Sequence, residues 1–314
     1  MQYYRDHMRH GSETGKQKHY LLLGPWDHSG TRMPKQSFGG HEFGGAMMFD
    51  AFALDRDWYR WTMADGERPD FLRDHVTWFV AGANEWKSAP SLDAVADDEL
   101  VLRLDADRPK HQVFAAGVLA ADPDTRSDHS EYVYDPLDTT KAERGAADDY
   151  IVDQTEAVRT DGDGLIFHSE PFDEATEISG YVRLEAWIEM DVPDTDLNAT
   201  LYEIRADGGS IALAGQTLRA RHRDGLREVR MMEPGVVEKL VFDRFYWFSR
   251  RIAEGSRLRL FIRPANAVNH QRHYNAAKPV HEQTAADART ATVRLHHDDA
   301  HPSRLVLPVV IRDG

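Results

Sequence analysis

Cysteine is absent from the 314 residues, which excludes disulfides and thiolate-bound metals and leaves the redox compartment unreadable. Basic charge is also scarce: 38 lysines and arginines stand against 53 aspartates and glutamates, a formal charge of −15. Nucleic acid and anionic membranes both need a basic surface, so neither is an expected partner. No apolar run is long enough for a transmembrane helix, and residues 1–15 lack the apolar centre of a secretory signal. The cytoplasm is therefore the favoured compartment. A zinc-protease pair is missing too, because His41-Glu42 has no second histidine four residues on.

What is present exceeds one typical domain in length, and its 41% hydrophobic content suits a globular protein. Residues 1–18 read as the end of a helix followed by a loop. Leu21-Leu22-Leu23 reads as a short strand covered on both faces, ended by the turn signal Gly24-Pro25. The glycines of Phe38-Gly39-Gly40-His41 make no stable element. Met47, Ala51, Leu54, Trp58 and Trp61 then recur in steps of four and three, the pattern of a helix packed on a sheet. Beyond Pro69 the period changes to two. Val76, Trp78 and Val80 alternate, as do Leu100, Leu102 and Leu104, then Val182, Leu184, Ala186 and Ile188, and later Leu258, Leu260 and Ile262. Residues 122–149 are acid-rich and aperiodic, which predicts a long excursion. Asp207-Gly208-Gly209 predicts a turn between strands. The expected fold is mainly β, a jelly-roll β-sandwich over residues 71–314 preceded by a short α/β remnant over 1–70.

The chemistry offered by these residues centres on His28, at the C-terminal end of the first strand. That edge is where catalytic loops collect in open α/β sheets, so His28 is a candidate general base; a turn histidine packed on Trp26 is the alternative. Trp26 and Phe38 are candidate walls of a small-molecule pocket, and Trp86 is either a third or a core residue. Two histidine groups invite a metal reading: His270 with His273, and His296-His297 with Asp298, Asp299 and His301. Pro264 and Asn266 put the first in a loop, and the second occupies a turn where solvated polar residues belong. No metal and no cofactor is therefore expected.

Leu22-Leu23-Gly24-Pro25-Trp26-Asp27-His28 resembles the histidine motif of the CocE/NonD family of serine hydrolases, the cocaine esterase and X-prolyl dipeptidyl peptidase group. Leu165-Ile166-Phe167-His168-Ser169-Glu170-Pro171-Phe172, Gln216-Thr217-Leu218-Arg219-Ala220-Arg221-His222-Arg223 and Pro302-Ser303-Arg304-Leu305-Val306-Leu307-Pro308 resemble later segments of that family, in the same order. The resemblance implies that 1–70 is the end of an α/β-hydrolase domain and that His28 is the last member of a Ser-Asp-His triad. It implies a small ester or amide as substrate, cleaved through an acyl-enzyme. The nucleophile elbow Gly-x-Ser-x-Gly occurs nowhere in the chain, and the family order Ser, Asp, His would place serine and aspartate before Met1. Asp6 and Asp27 are poor substitutes. The chain is then expected to be inactive alone and to partner a missing N-terminal hydrolase half or further copies of itself. The competing expectation is a non-catalytic sandwich module that binds a partner chain or ligand.

Overall fold

The computed structural model describes residues 1–26, 33–38, 41–106, 117–123, 128–139, 164–265 and 270–311. The first part of the chain runs α1 (Gln2–His10), α2 (Glu13–Gln17), β1 (Leu21–Leu23), β2 (Ser37–Phe38), β3 (His41–Glu42), α3 (Ala51–Met63), β4 (Val76–Val80) and β5 (Glu85–Ala89). The expected loop after α1 is instead the short helix α2, because the Ser12 hydroxyl accepts the Gly15 amide and caps it. The glycine-rich stretch also departs from expectation. Here β2 pairs with β3, and the Gln36 carbonyl accepts the amides of Phe43 and Gly44 to close the hairpin base.

β1, β4 and β5 form one small sheet in that order, with β1 parallel and β5 antiparallel to β4. β1 is only half-buried. The strand buried on both faces is β4, all five of whose residues are shielded. Its alternation in sequence predicted one wet face. Tyr4 of α1 covers Val76, Trp78 and Val80 on one side, while Phe43 and Met47 cover Phe79 on the other. The stripe predicted to pack on a sheet does form a helix, capped by Asp50 accepting from the Ala53 amide. No residue of α3 is buried, however. Trp58 and Trp61 lean edge-on against Tyr20, and Met47, which precedes the helix, is fully buried with Phe43 and Phe79.

The remaining strands are β6 (Asp98–Ala106), β7 (Gly117–Ala120), β8 (His129–Tyr134), β9 (Leu165–Ser169), β10 (Thr176–Gly180), β11 (Arg183–Met190), β12 (Asp196–Ile204), β13 (Ser210–Arg219), β14 (Glu238–Phe242), β15 (Phe248–Ile252), β16 (Arg257–Pro264), β17 (Ala291–His296) and β18 (Arg304–Val310). These thirteen are joined by hydrogen bonds in the path β13-β12-β16-β9-β7-β6-β18-β11-β17-β8, with β10 on β15 and β18, and β14 on β11. This is the jelly-roll β-sandwich, and the protein is mainly β as expected. Its core holds Leu104, Phe167, Leu184, Leu201, Phe242, Leu260, Leu295 and Leu305, all fully buried. Each such side chain contributes about 1.5–3 kcal/mol relative to exposure. The predicted turn at Asp207 joins β12 to β13, where Ile204 pairs with Ser210. β8 corrects the predicted excursion: Tyr132 and Tyr134 turn inward there and supply a period of two that the acidic residues around them obscure. Within that stretch, residues 124–127 and 140–149 lie outside the described residues.

The two sheets are fastened where β4 meets β15. The Ala81 amide donates to the Ser249 carbonyl and the Arg251 amide to the Ala81 carbonyl, at 3.2 and 2.8 Å. Gly82 follows with φ +85°, and a Cβ there would lie 2.6 Å from the Arg251 carbonyl oxygen, so only glycine permits this approach. Lys87 of β5 reaches Glu177 of β10 at 2.7 Å, adding a charged tie.

Candidate functional site

β1 ends against the sandwich, and a cavity of about 270 Å³ opens at that end. Gly24, Pro25, Trp26, His41 and Phe43 form one wall, and Leu213, Phe248 and Arg250 contribute to the other. Trp26 is half-buried, with its ring centroid 6.0 Å from Phe49 and 6.1 Å from Trp86. Its indole folds back over Gly24, where a Cβ would come within 2.3 Å of the ring. The turn signal therefore has a second use: the missing side chain makes room for the tryptophan. Trp86 is held in the same aromatic cluster by Phe71 and Phe79, and its Nε1 donates to the Ala46 carbonyl at 2.8 Å.

His28, the candidate base, lies outside the described residues, as do Asp27 and Ser29. Phe38 is placed in β2 opposite His41, and its side chain is likewise outside them. His41 and Arg250, the two titratable residues of the cavity, were not proposed for it from sequence. His41 lines it, and burial, then the Arg250 guanidinium, push this imidazole below the usual histidine range, so it is neutral near pH 7. Arg250 pairs with Glu203, whose side chain is fully buried and whose Oε1 accepts the Ala253 amide at 3.3 Å. An arginine in a strand of alternating character carries no sequence signal of this kind, because its pairing partner is 47 residues away. The result is a small, mostly apolar recess with one neutral imidazole and one matched guanidinium, suited to an uncharged group with few polar atoms.

The arginines of the Leu218–Arg223 segment have other work. Arg219 grips Asp196 with two bonds of 2.8 and 2.9 Å, and Arg223 pairs with Glu238 at 2.9 Å. Arg221 is buried, pairs with Asp194, and donates to the carbonyls of Ala276 and Lys278. His273 donates to the same Asp194 at 2.6 Å. Burial raises the Asp194 carboxyl, but the bonds from His273 and Arg221 outweigh it and hold it below its ordinary value. The bonds of Arg221 and His273 pin the loop of residues 270–289 to the sandwich. His273 is thus a structural histidine and does not join His270, which is exposed beside a wider cleft of about 770 Å³.

One further arrangement imitates a triad. Ser130 Oγ lies 3.1 Å from His297 Nε2, and His297 Nδ1 lies 3.2 Å from Asp105 Oδ1. His297 has no exposed surface, and Asp105 also accepts the Ala106 amide. A substrate cannot reach that imidazole in the folded chain, so the three residues serve to tie β6, β8 and the end of β17 together.

A β-sandwich with a small, partly parallel sheet docked on it is the architecture of the C-terminal portion of CocE/NonD family proteins. The chain belongs to the X-Pro dipeptidyl-peptidase C-terminal non-catalytic domain family, whose pattern matches residues 72–306. It is similar to cocaine esterase from Rhodococcus sp. (strain MB1 Bresler), 24% identical over 302 residues that cover 93% of this chain and 51% of the esterase. Its fold resembles an aminopeptidase from a marine sediment Thaumarchaeota archaeon, with TM-score 0.81 and 18% identity over 98% of this chain and 52% of that one. It also resembles an α-amino acid ester hydrolase, with TM-score 0.80 and 19% identity over 98% and 52%. A CocE/NonD family hydrolase from Staphylococcus aureus aligns over 83% of this chain and 46% of its own, with TM-score 0.57 and 16% identity. The chain spans about half the length of these relatives. Among the described residues, no helix is long and apolar enough to cross a membrane.

Proposed function

We propose that this chain is the C-terminal part of a serine hydrolase that cleaves small esters or amides through an acyl-enzyme. In this reading His28 is the general base toward the serine and then the general acid toward the leaving group. The serine and its orienting aspartate come from a hydrolase half outside these 314 residues. The carrying observation is β1: it stands at the open edge of a parallel pair, and the chain leaving it passes Trp26 at the cavity mouth. A parallel edge needs further strands and helices to be covered, and α3 offers an uncovered apolar face beside it. Residues 1–70 are then the end of the hydrolase domain, whose sheet β4 and β5 complete although they follow in sequence. The sandwich acts as a non-catalytic wall, with Trp26 and Phe38 on the substrate side.

The test uses a p-nitrophenyl ester. This chain alone is expected to show no turnover above background, because an imidazole without its serine has nothing to activate. A longer gene product carrying Gly-x-Ser-x-Gly should give a burst that His28→Ala abolishes. Undiminished activity in that variant would overturn the assignment, and no activity in the longer product would leave the chain a binding module.

A further inference from the structure

The turn between β17 and β18 separates the acid and histidine residues that the sequence crowds together. His297 faces inward to Ser130 and Asp105, and Asp299 faces outward to Arg103 at 3.1 Å. What remains is His296, Asp298 and His301, whose ligand atoms all lie within 4.8 Å of one another. We propose that these three side chains form a binding site for a borderline divalent cation such as Zn²⁺, separate from the cavity at the end of β1.

The chemistry of the donors supports this. Two imidazole nitrogens and one carboxylate suit zinc, copper or nickel, with water free to complete a tetrahedron. Both rings address the same oxygen: His301 Nδ1 is 3.2 Å from Asp298 Oδ2, and His296 Nδ1 is 3.8 Å from it. The second distance is informative. His296 commits its Nε2–H to Glu189 Oε2 at 3.1 Å, so a neutral ring carries its lone pair on Nδ1. That lone pair faces a carboxylate oxygen beyond hydrogen-bond reach, two acceptors with space between them. A cation about 2.0–2.2 Å from each ligand atom would sit in that space, bringing the atoms to roughly 3.3 Å apart. The His301 proton then resides on Nε2.

The surroundings hold the ligands in place. Glu189 is fixed by Arg294 at 2.7 Å, which makes it the carboxylate behind the histidine that orients many metal-bound imidazoles. Asp298 Oδ1 accepts the amides of Ala300 and His301 at 2.7 and 2.9 Å, leaving Oδ2 turned to the rings. The His301 ring rests edge-on against Trp187 at 5.2 Å. All three ligands are half-buried, close enough to solvent for an ion to enter.

Calorimetric titration with Zn²⁺ and visible absorption with Co²⁺ on the full chain test the site. One ion per chain is expected, with the intense Co²⁺ bands of a four-coordinate site. His301→Ala should abolish those bands, and Glu189→Gln should weaken Zn²⁺ about 10- to 100-fold while leaving one site. Should Glu189→Gln fail to fold, His301→Ala decides alone, since that side chain is a third exposed. Equal Zn²⁺ affinity and an unchanged Co²⁺ spectrum in His301→Ala would assign binding to other histidines and overturn the proposal, as would no binding by the unaltered chain.

Discussion

His168 shows how one side chain can set the pH response of the sandwich. It sits in β9 and accepts from Arg259 Nε at 2.7 Å. Burial, then the charges of Arg259 and Arg257, push its pKa from 6.5 down to about 4. The folded ring therefore refuses a proton that the unfolded ring takes. Its contribution is fully present above about pH 6.5, falls as pH drops through that value, and levels off below about 4. Urea midpoints should fall between about pH 7.5 and about pH 4.5, and His168→Gln, which still offers Arg259 an acceptor, should reduce the difference. An identical drop in the variant would show that other groups carry it. His168 lay in a segment quoted only for family likeness; its setting between two arginines comes from β16 lying alongside, which local sequence does not reveal.

At the scale of elements, the junction of β4 with β15 decides how the small sheet sits on the sandwich. The alternation of Val76, Trp78 and Val80 placed a strand correctly but misjudged its burial, because period two reports only the stronger apolar face. Thr77 and Phe79 are buried as well, and Phe79 packs on Phe43 and Met47, more than thirty residues away in sequence. Gly82→Ala forces a side chain into positive φ and against the Arg251 carbonyl, so a loss of more than about 1 kcal/mol is expected. Hydrogen exchange should localise it: the amides of Ala81 and Arg251 should exchange faster, while those of β12 and β16 stay protected. Uniform acceleration would mean that the two sheets unfold as one unit.

For the whole molecule, the central feature is an uncovered face. On α3, Phe52, Tyr59 and Met63 lie seven and four residues apart, on one side of the helix, and are 71%, 60% and 80% exposed. Among the described residues nothing covers them, and the chain matches only half the length of its relatives. If a hydrolase half packs there, hydrogen peroxide should oxidise Met63 rapidly in this chain and slowly in a longer gene product, with buried Met232 as the slow reference in both. Equal rates at Met63 would place that half elsewhere.

Sequence alone determined the strand-rich sandwich, the turn at Asp207, the helix α3 and the likeness to CocE/NonD hydrolases, because periodicity and turn chemistry act over a few residues. Tertiary structure decided which strands share a sheet, that Arg219, Arg221 and Arg223 clamp rather than bind, and that His41 and Arg250 meet at the cavity beside Trp26. It also parted His297 from His296, turning one into the core and the other toward Asp298 and His301. Each of these depends on contacts between residues far apart in the chain, where pairing is set by strand order and burial rather than by neighbours in sequence.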